Sequence, residues 1–236
     1  MQNGMLYIEK IKREIKENKE AAVSIAPSYP AAFGQNKAGR LVSALKKLGF
    51  SRVEETVYIL PKIIKLRSEL VKHSEIPILG NSCPRIVKMI HEEFPHLVSC
   101  LPSFHSPMVA HCSSLKQRFG KDIITVFIGP CIEKRAEAEE AESVDYVLTF
   151  KEFYKWLQME KIDLENLESR PFDAEPPEWA RFSVFLMEIH GIKESKAFLE
   201  GFPQNSRKGK FIELLGCKGG CLNGPGMLGR GVNIKR

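Results

Sequence analysis

Residues 211–226 read FIELLGCKGGCLNGPG, a short and mostly apolar run that leads into a glycine-rich turn with two cysteines. The run 211–215 stops at Gly216 and is typical of a buried strand. Glycine adopts either sign of φ without a steric penalty, so such a turn can wrap closely round an object and present amide hydrogens to it. The stretch therefore predicts a strand that ends at a binding loop containing Cys217 and Cys221.

Two earlier apolar runs end in the same way. Residues 76–79 are followed by Cys83, and residues 123–128 are followed by Cys131, each after a few polar or turn-forming residues. In a parallel sheet the carboxyl ends of the strands lie at one edge, where the functional loops gather. We therefore expect Cys83, Cys131 and Cys217 to share one sheet edge, close in space despite their separation in sequence.

Short apolar strands alternate with helices along most of the chain. Further strands are predicted at residues 21–25 and 144–148, and isoleucines at helical spacing predict an amphipathic helix over residues 5–19. This alternation predicts an α/β fold with mostly parallel sheets flanked by helices. At 236 residues the chain suits one large domain or two intimately packed lobes.

Local chemistry adds two further predictions. Thr149 and Glu152 have the spacing of a capping box, which predicts a helix starting at this point. Residues 161–207 are rich in proline and acidic residues, so we expect loops there around the apolar segment 182–189.

Composition and charge exclude several classes of partner. The 35 basic and 29 acidic residues are interleaved and give a net charge of +6, which indicates a solvated surface rather than a nucleic-acid footprint. Apolar runs fall short of the roughly 18 residues that a membrane span needs, and the N-terminus is charged where a secretory signal would be apolar. We expect a cytoplasmic protein that binds neither nucleic acid nor a membrane.

Six cysteines in a reducing compartment need a role other than a disulfide framework. Cys100 and Cys112 have apolar surroundings without a strand end or glycine beside them, so we expect them to be small core residues. Cys83 precedes a helix N-terminus that favours the thiolate, which helps metal ligation. Structural zinc sites usually pair Cys-x-x-Cys knuckles, whereas two of these cysteines stand alone; an iron-sulfur cluster is favoured, and a zinc-stabilised interaction domain is an alternative.

Several short motifs occur together in one order between about residues 21 and 227. They are Ala26-Pro27, Ser82-Cys83-Pro84, Ser106-Pro107, Gly129-Pro130-Cys131 with Lys134, residues 145–149, and Cys217-x-x-x-Cys221 with Asn223-Gly224. In this combination the chain resembles the C-terminal domain of the large subunit of iron-only (FeFe) hydrogenases. The resemblance implies a lead-in helix over residues 1–20 and a cluster domain over residues 21–236, which could be a fragment of a longer protein.

That family binds the H-cluster, a 4Fe-4S cubane joined through one cysteine to a di-iron subsite with carbonyl and cyanide ligands. The resemblance implies that the cluster lies between two lobes at the carboxyl ends of the strands. Its implied cubane ligands are Cys83, Cys131, Cys217 and the bridging Cys221. The resemblance further implies that Lys134 hydrogen-bonds a cyanide and that the other cofactor-binding residues are Ala26, Pro27 and Ser106.

The chain departs from the family at positions that matter for proton transfer and for the di-iron pocket. Ser82 stands where the family has a proton-relay cysteine, and an alkyl hydroxyl is a far weaker acid than a thiol, whose pKa is about 8.5. Of two relay glutamates only Glu69 is kept, with Leu66 in the other place. Gly129 and Leu215 replace methionines of the di-iron pocket.

These departures favour a hydrogenase-like domain used for redox or hydrogen sensing, with weak or no turnover. Its catalytic candidates are Ser82, Glu69 and Lys134, and its partners would be protons or hydrogen and ferredoxin-type or signalling domains, fused or separate. One alternative is an active hydrogenase that interconverts hydrogen with protons and electrons. A second alternative is an iron-sulfur assembly or scaffold protein that carries the cubane alone.

Overall fold

Two parallel β-sheets form the framework of the protein. The structure is a computed structural model that describes residues 2–17, 19–175, 187–202 and 210–229. The strands are β1 (Ala21–Ile25), β2 (Arg52–Glu55), β3 (Ile78–Leu79), β4 (Ile124–Gly129), β5 (Tyr146–Thr149), β6 (Met187–His190) and β7 (Phe211–Leu215). The order β2-β1-β4-β5 defines the sheet of a first lobe, and the order β3-β7-β6 defines the sheet of a second lobe.

Helices connect and cover these strands, as parallel pairing requires. They are α1 (Gln2–Lys16), α2 (Tyr29–Phe33), α3 (Ala38–Lys47), α4 (Leu60–His73), α5 (Pro84–Glu93), α6 (Pro107–Phe119), α7 (Lys134–Glu139), α8 (Phe150–Met159) and α9 (Ile192–Glu200). Short 3₁₀ segments lie at Gln35–Lys37, Thr56–Ile59, Pro95–Cys100, Leu164–Asn166 and Gly220–Asn223. Within the described ranges, none of these helices has the length and apolar character needed to cross a membrane.

The two central strands of the first lobe are buried along their whole length. Val23 of β1 is paired with Val53 of β2 on one side and with Val126 of β4 on the other. Every residue of β1 and β4 is buried, as expected for parallel strands covered on both faces. The N-terminal helix α1 packs on this sheet, since its Ile8 and Ile11 are fully buried in the same core.

The second lobe has a smaller core of its own. Ile212 and Leu214 of β7 are buried together with Ile86 and Ile90 of α5. Because side chains alternate along a strand, these two residues share one face of β7, and Glu213 lies on the opposite face. That opposite face is the one that matters for the site described below.

Several local predictions are confirmed. The strands predicted at residues 21–25 and 211–215 match β1 and β7 to the residue. The predicted capping box is present, because the Glu152 amide donates to Thr149 Oγ1 at 3.2 Å and the Thr149 amide donates to Glu152 Oε2 at 2.8 Å. Both interactions are short in sequence, which is why the pattern alone is sufficient to predict them.

Two predictions are wrong. The region 161–207 was expected to be loops, but it contains β6 and the nine-residue helix α9. Ser195 and Leu199 lie one helical turn apart and are buried, so packing against the second sheet outweighs the loop-like composition of the flanking sequence. Most of the apolar segment 182–189 lies outside the described residues. The expectation of one shared sheet edge is also wrong, because β4 belongs to one sheet and β3 and β7 to the other.

Candidate metal centre

Four cysteines follow strand ends or lie in the loop after one. Cys83 is the residue before α5 and follows β3, and Cys131 comes two residues after β4. Cys217 comes two residues after β7, and Cys221 lies in the following 3₁₀ turn. The carboxyl ends of two sheets, rather than one edge of a single sheet, therefore supply the cysteines.

The loop after β7 brings the two lobes together. The Gly216 amide donates to Cys83 Sγ at 3.4 Å, which joins this loop to the turn after β3. Farther along the loop, the Gly226 amide donates to the carbonyl of Pro130 at 2.8 Å. Since Pro130 precedes Cys131, a single loop contacts both cysteine-bearing turns, one from each lobe.

The thiols influence one another electrostatically. Burial of its thiol, together with the neighbouring Cys83, Cys131 and Cys217, raises the pKa of Cys221 to about 12, although the residue as a whole is exposed. Burial is also the largest cause of the raised pKa of Cys131 and of Cys217, with Cys83 adding to both. Negative charges on neighbouring thiolates repel one another, and a bound cation or metal cluster offsets such repulsion.

The spacing of the thiols bears on the kind of metal group. Within the described part of the chain, no set of three or more His, Cys, Asp or Glu side chains is arranged to hold a single metal ion. Zinc requires four sulfurs within about 4 Å of one another, because each Zn–S bond is about 2.3 Å long. A cubane bonds each cysteine to a different iron, so its ligands stand farther apart. Cubane and zinc ligation thus differ in the sulfur spacing that they require.

Glycines shape the loop that would surround such a cluster. Gly219 and Gly220 have φ values of +76° and +74°, a left-handed conformation that other residues adopt only with strain. At Gly224 the backbone is ordinary, but a Cβ there would lie 2.6 Å from the carbonyl oxygen of Pro130. Small residues are thus required both for the turn itself and for its close contact with the first lobe.

A helix begins directly after Cys83. Pro84 opens α5, and the carbonyl of Cys83 accepts the amides of Ile86 and Val87, each at 3.0 Å. The remaining amides of the first turn and the helix dipole place partial positive charge beside Cys83. The N-terminus of this ten-residue helix thus faces the turn that contains Cys83.

Lys134 and Ser106 lie together beside the first-lobe cysteine. Lys134 is 9% exposed and donates to Ser106 Oγ at 3.3 Å and to Glu137 Oε2 at 2.5 Å. Its positive charge lowers the pKa of Cys131, against the larger effect of burial. Ala26 is buried at the end of β1, where its amide donates to the carbonyl of Ile128, and Pro27 beside it is exposed.

Ser82 has partners that the sequence did not indicate. Its hydroxyl donates to Glu213 Oε2 at 3.2 Å, and its amide donates to Glu213 Oε1 at 3.3 Å. Arg67 of α4 donates to the same hydroxyl and to Glu213, both at 3.2 Å. Burial raises the pKa of the Glu213 carboxyl, and the Arg67 charge opposes that rise. Glu213 could have been singled out from the sequence, because it is the one charged residue in an otherwise apolar strand. Nothing in the sequence distinguished Arg67 from the other charged residues of its helix.

Glu69 lies on the exposed surface of α4. Its side chain is 55% exposed on α4 and lies 3.7 Å from His73 one turn later. Leu66 is also exposed. The buried side of this helix presents Arg67 instead, so the expected relay role of Glu69 has no support from its position.

Gly129 and Leu215 are the two positions at which the family resemblance implies methionines of a di-iron pocket. A Cβ at Gly129 would lie 2.6 Å from the ring of Phe127 and 3.2 Å from the Cβ of Ala26, so the Phe127 ring already fills the space that a side chain here would need. At the other position, the Leu215 side chain packs within 3.3 Å of where a Cβ on Gly220 would lie.

Cys100 and Cys112 are confirmed as core residues. Both have no exposed surface, and they belong to the cores of the second and the first lobe respectively. Burial raises the pKa of Cys112 to about 12, which keeps it a neutral thiol.

Comparison with known proteins agrees with this arrangement. The family model "Iron only hydrogenase large subunit, C-terminal domain" matches residues 19–185 and 177–225. Iron hydrogenase 1 of Clostridium pasteurianum is 22% identical over 93% of this chain and 52% of that protein. Subunit HndD of the NADP-reducing hydrogenase of Solidesulfovibrio fructosivorans is 26% identical over 66% of this chain and 32% of that protein. Cytosolic iron-sulfur assembly component 3 of Mus musculus is 23% identical over 93% of this chain and 66% of that protein.

The chain thus spans about half the length of the first of these relatives, 52%, and a third of the second, 32%. Among solved structures, an FeFe-hydrogenase studied for oxygen inactivation superposes with a TM-score of 0.77 at 17% identity, covering 96% of this chain and 85% of that one. The FeFe-hydrogenase HydA1 of Chlamydomonas reinhardtii gives a TM-score of 0.73 at 17% identity, covering 89% of this chain and 80% of that one. The fold is shared, and the chain belongs to the family of the iron-only hydrogenase large subunit, C-terminal domain.

Proposed function

We propose that this domain holds a 4Fe-4S cubane on Cys83, Cys131, Cys217 and Cys221 and uses it to sense redox state or hydrogen, with little or no hydrogenase turnover. The observation that carries the proposal is the meeting of four mutually interacting thiols at the carboxyl ends of two sheets, under one glycine-rich loop. When bound, the cluster supplies one-electron redox chemistry. The chain supplies ligation, charge and access.

The surroundings of the cysteines suit an anionic group. The Gly216 amide donates to Cys83 Sγ, and such hydrogen bonds to ligand sulfurs stabilise the more negative state of a cluster. Lys134 adds a positive charge from the first lobe, and the N-terminus of α5 adds partial positive charge from the second. If a di-iron subsite is also bound, Lys134, Ser106 and Ala26 are the residues that would face it.

Sensing is favoured over turnover because the proton path is altered. Ser82 carries a hydroxyl in place of a thiol, and that hydroxyl is engaged by Glu213 and Arg67. A guanidinium does not deprotonate in proteins, so Arg67 cannot pass a proton on. Glu69 lies on the exposed side of its helix, next to Leu66. The partner of such a sensor would be an electron donor of ferredoxin type or a signalling domain.

Anaerobic metal analysis and a hydrogen assay test the proposal together. We expect about four irons and four sulfides per chain, a cubane signal by electron paramagnetic resonance after reduction, and weak hydrogen evolution from a strong reductant after maturation. Cys131→Ser should abolish the cluster, whereas Cys112→Ser, a cysteine in the core of the same lobe, should not. Stoichiometric zinc without sulfide would overturn the proposal. Hydrogen turnover like that of ordinary hydrogenases would overturn the sensing role and show that the domain is an active hydrogenase.

A role in iron-sulfur assembly is the second candidate. It is favoured by the relative from Mus musculus, an assembly component that aligns over 93% of this chain. Infrared spectroscopy separates the two candidates when the domain is matured with the di-iron machinery. Carbonyl and cyanide bands would support a hydrogenase-like sensor. Their absence in a cubane-loaded protein would exclude hydrogen sensing at a di-iron subsite and leave the assembly role and redox sensing by the cubane alone.

A further inference from the structure

Helix α4 has few fully buried side chains. Among its 14 residues only Ile63 and Arg67 are buried. Its outer side is exposed and carries Leu66 and Glu69. Elements with few buried contacts open and shift at low cost in free energy. Ile63 and Arg67 are the buried anchors of α4, and half-buried apolar residues such as Ile64 and Val71 add to its packing.

The charged anchor reaches across to the second sheet. The Arg67 guanidinium lies over the ring of Phe211, 4.4 Å from its centroid, and forms an ion pair with Glu213 at 3.2 Å. Phe211 and Glu213 are on the same face of β7, because they are two residues apart. Arg67 and Glu213 are 7% and 1% exposed, so solvent screens their charges little.

The same anchor touches the turn that carries a cluster ligand. Arg67 Nη2 donates to Ser82 Oγ at 3.2 Å, and Glu213 accepts both the amide and the hydroxyl of Ser82. Ser82 directly precedes Cys83. One hydrogen bond and one peptide unit therefore separate the guanidinium of α4 from a proposed ligand of the cubane.

We propose that α4 is the element that reports the charge of the cluster, and that Arg67 is the positioning residue through which it does so. The inference rests on the proposed function, since it requires the cubane. The cubane accepts one electron from a low-potential donor, and no covalent bond forms or breaks. The added negative charge attracts the Arg67 guanidinium, so α4 is held more firmly when the cluster is reduced and less firmly when it is oxidised.

Hydrogen–deuterium exchange of the loaded protein tests this directly. The chain is reconstituted anaerobically with iron and sulfide, and exchange of peptides from residues 60–73 is compared before and after reduction with dithionite. We expect slower exchange of these peptides in the reduced protein. Peptides of α8, which is fixed by its own capping box, should exchange equally in both states.

Two variants distinguish a redox-dependent change in exchange of α4 from a general loss of its packing. Arg67→Met combined with Glu213→Gln removes both charges, leaves no unpaired buried ion and should abolish the redox difference while the paramagnetic signal of the cubane persists. Arg67→Lys keeps the positive charge and should keep a redox difference in α4. Loss of the difference in Arg67→Lys as well would show that the fork geometry of arginine, and not its charge, is responsible, and would overturn the proposal.

A second ion pair with a buried carboxylate, in the first lobe, provides the control. Arg118 of α6 forms a two-bond pair with Glu54, which is 1% exposed, at 2.9 and 2.6 Å. Arg118 lies about 16 Å along the helix from its start at Pro107. Arg118→Met with Glu54→Gln should leave the redox difference in α4 intact. Equal exchange of residues 60–73 in both states of a fully reducible cubane would overturn the inference and leave cluster binding standing; a chain that binds no cubane would overturn both.

Discussion

Replacing Gly224 by alanine should separate the cluster loop from the first lobe. The φ of Gly224 is −62°, which alanine adopts freely, so the substitution acts through sterics alone. Its Cβ would lie 2.6 Å from the carbonyl oxygen of Pro130 and 3.1 Å from that of Cys221, both backbone atoms that cannot rotate away. Restoring ordinary contact moves the loop and Pro130 apart by about 0.8 Å, a typical overpacking displacement.

That displacement is large on the scale of metal ligation. Sites tolerate deviations of about 0.2 Å in ligand distance, and Pro130 directly precedes Cys131. Overpacking of this kind costs about 1–3 kcal/mol, which corresponds to roughly a 5- to 150-fold loss of affinity for the cluster. The loss should appear as fewer irons and sulfides per chain after reconstitution with limiting iron.

Gly229→Ala is the matched control. No atom lies within 4 Å of where its Cβ would be, so this variant should load iron and sulfide like the parent chain. Both variants are compared by iron and sulfide content, by paramagnetic resonance after reduction, and by thermal unfolding of the metal-free protein. Parent-like loading and an unchanged resonance spectrum in Gly224→Ala would refute the idea that the loop after β7 has to contact Pro130 this closely.

Three further predictions concern the core, a cap and the pH dependence of stability. Cys112→Ser places a hydroxyl in the first-lobe core and should destabilise the protein by about 1–3 kcal/mol in denaturant titrations without lowering iron content. Thr149→Val removes the N-cap of α8 and should cost about 1 kcal/mol, seen as a lower Tm at unchanged iron loading. Burial lowers the pKa of His111, which contacts Glu54 and Ser24, so near pH 6 the unfolded chain binds more protons than the folded one. The free energy of unfolding should therefore be unaffected by His111 above about pH 6.5 and should decrease as the pH falls below that value. His111→Gln should flatten that slope between pH 5.5 and 7.5, and an unchanged slope would assign it to other groups.

The local features of this fold could be predicted from the sequence because their causes are local. The strands β1 and β7 are apolar runs bounded by turn-forming residues, and the cap of α8 involves residues three apart. Cysteines after strand ends were sufficient to suggest where a site would form, since parallel strands direct their carboxyl ends toward common loops.

Features that depend on distant pairing could not be predicted in this way. Apolar runs do not specify their neighbours. The two lobes were therefore expected from chain length and from the family resemblance, but the assignment of β3 and β7 to one sheet and of β4 and β1 to the other required the folded structure. Arg67 lies in a helix rich in charged residues, where arginine is typical of an exposed face. Its partner Glu213 is 146 positions away in sequence, and only the folded chain brings the two together.

The loop after β7 has a consequence for the life of the protein in a cell. Because it contacts Cys83 in one lobe and Pro130 in the other, binding of the proposed cluster and packing of the two lobes would stabilise each other by the same free energy. Chains made during iron starvation would spend more time with their lobes apart and their interior open to proteases. Iron supply would then set the abundance of the protein through its turnover, independently of any change in its synthesis.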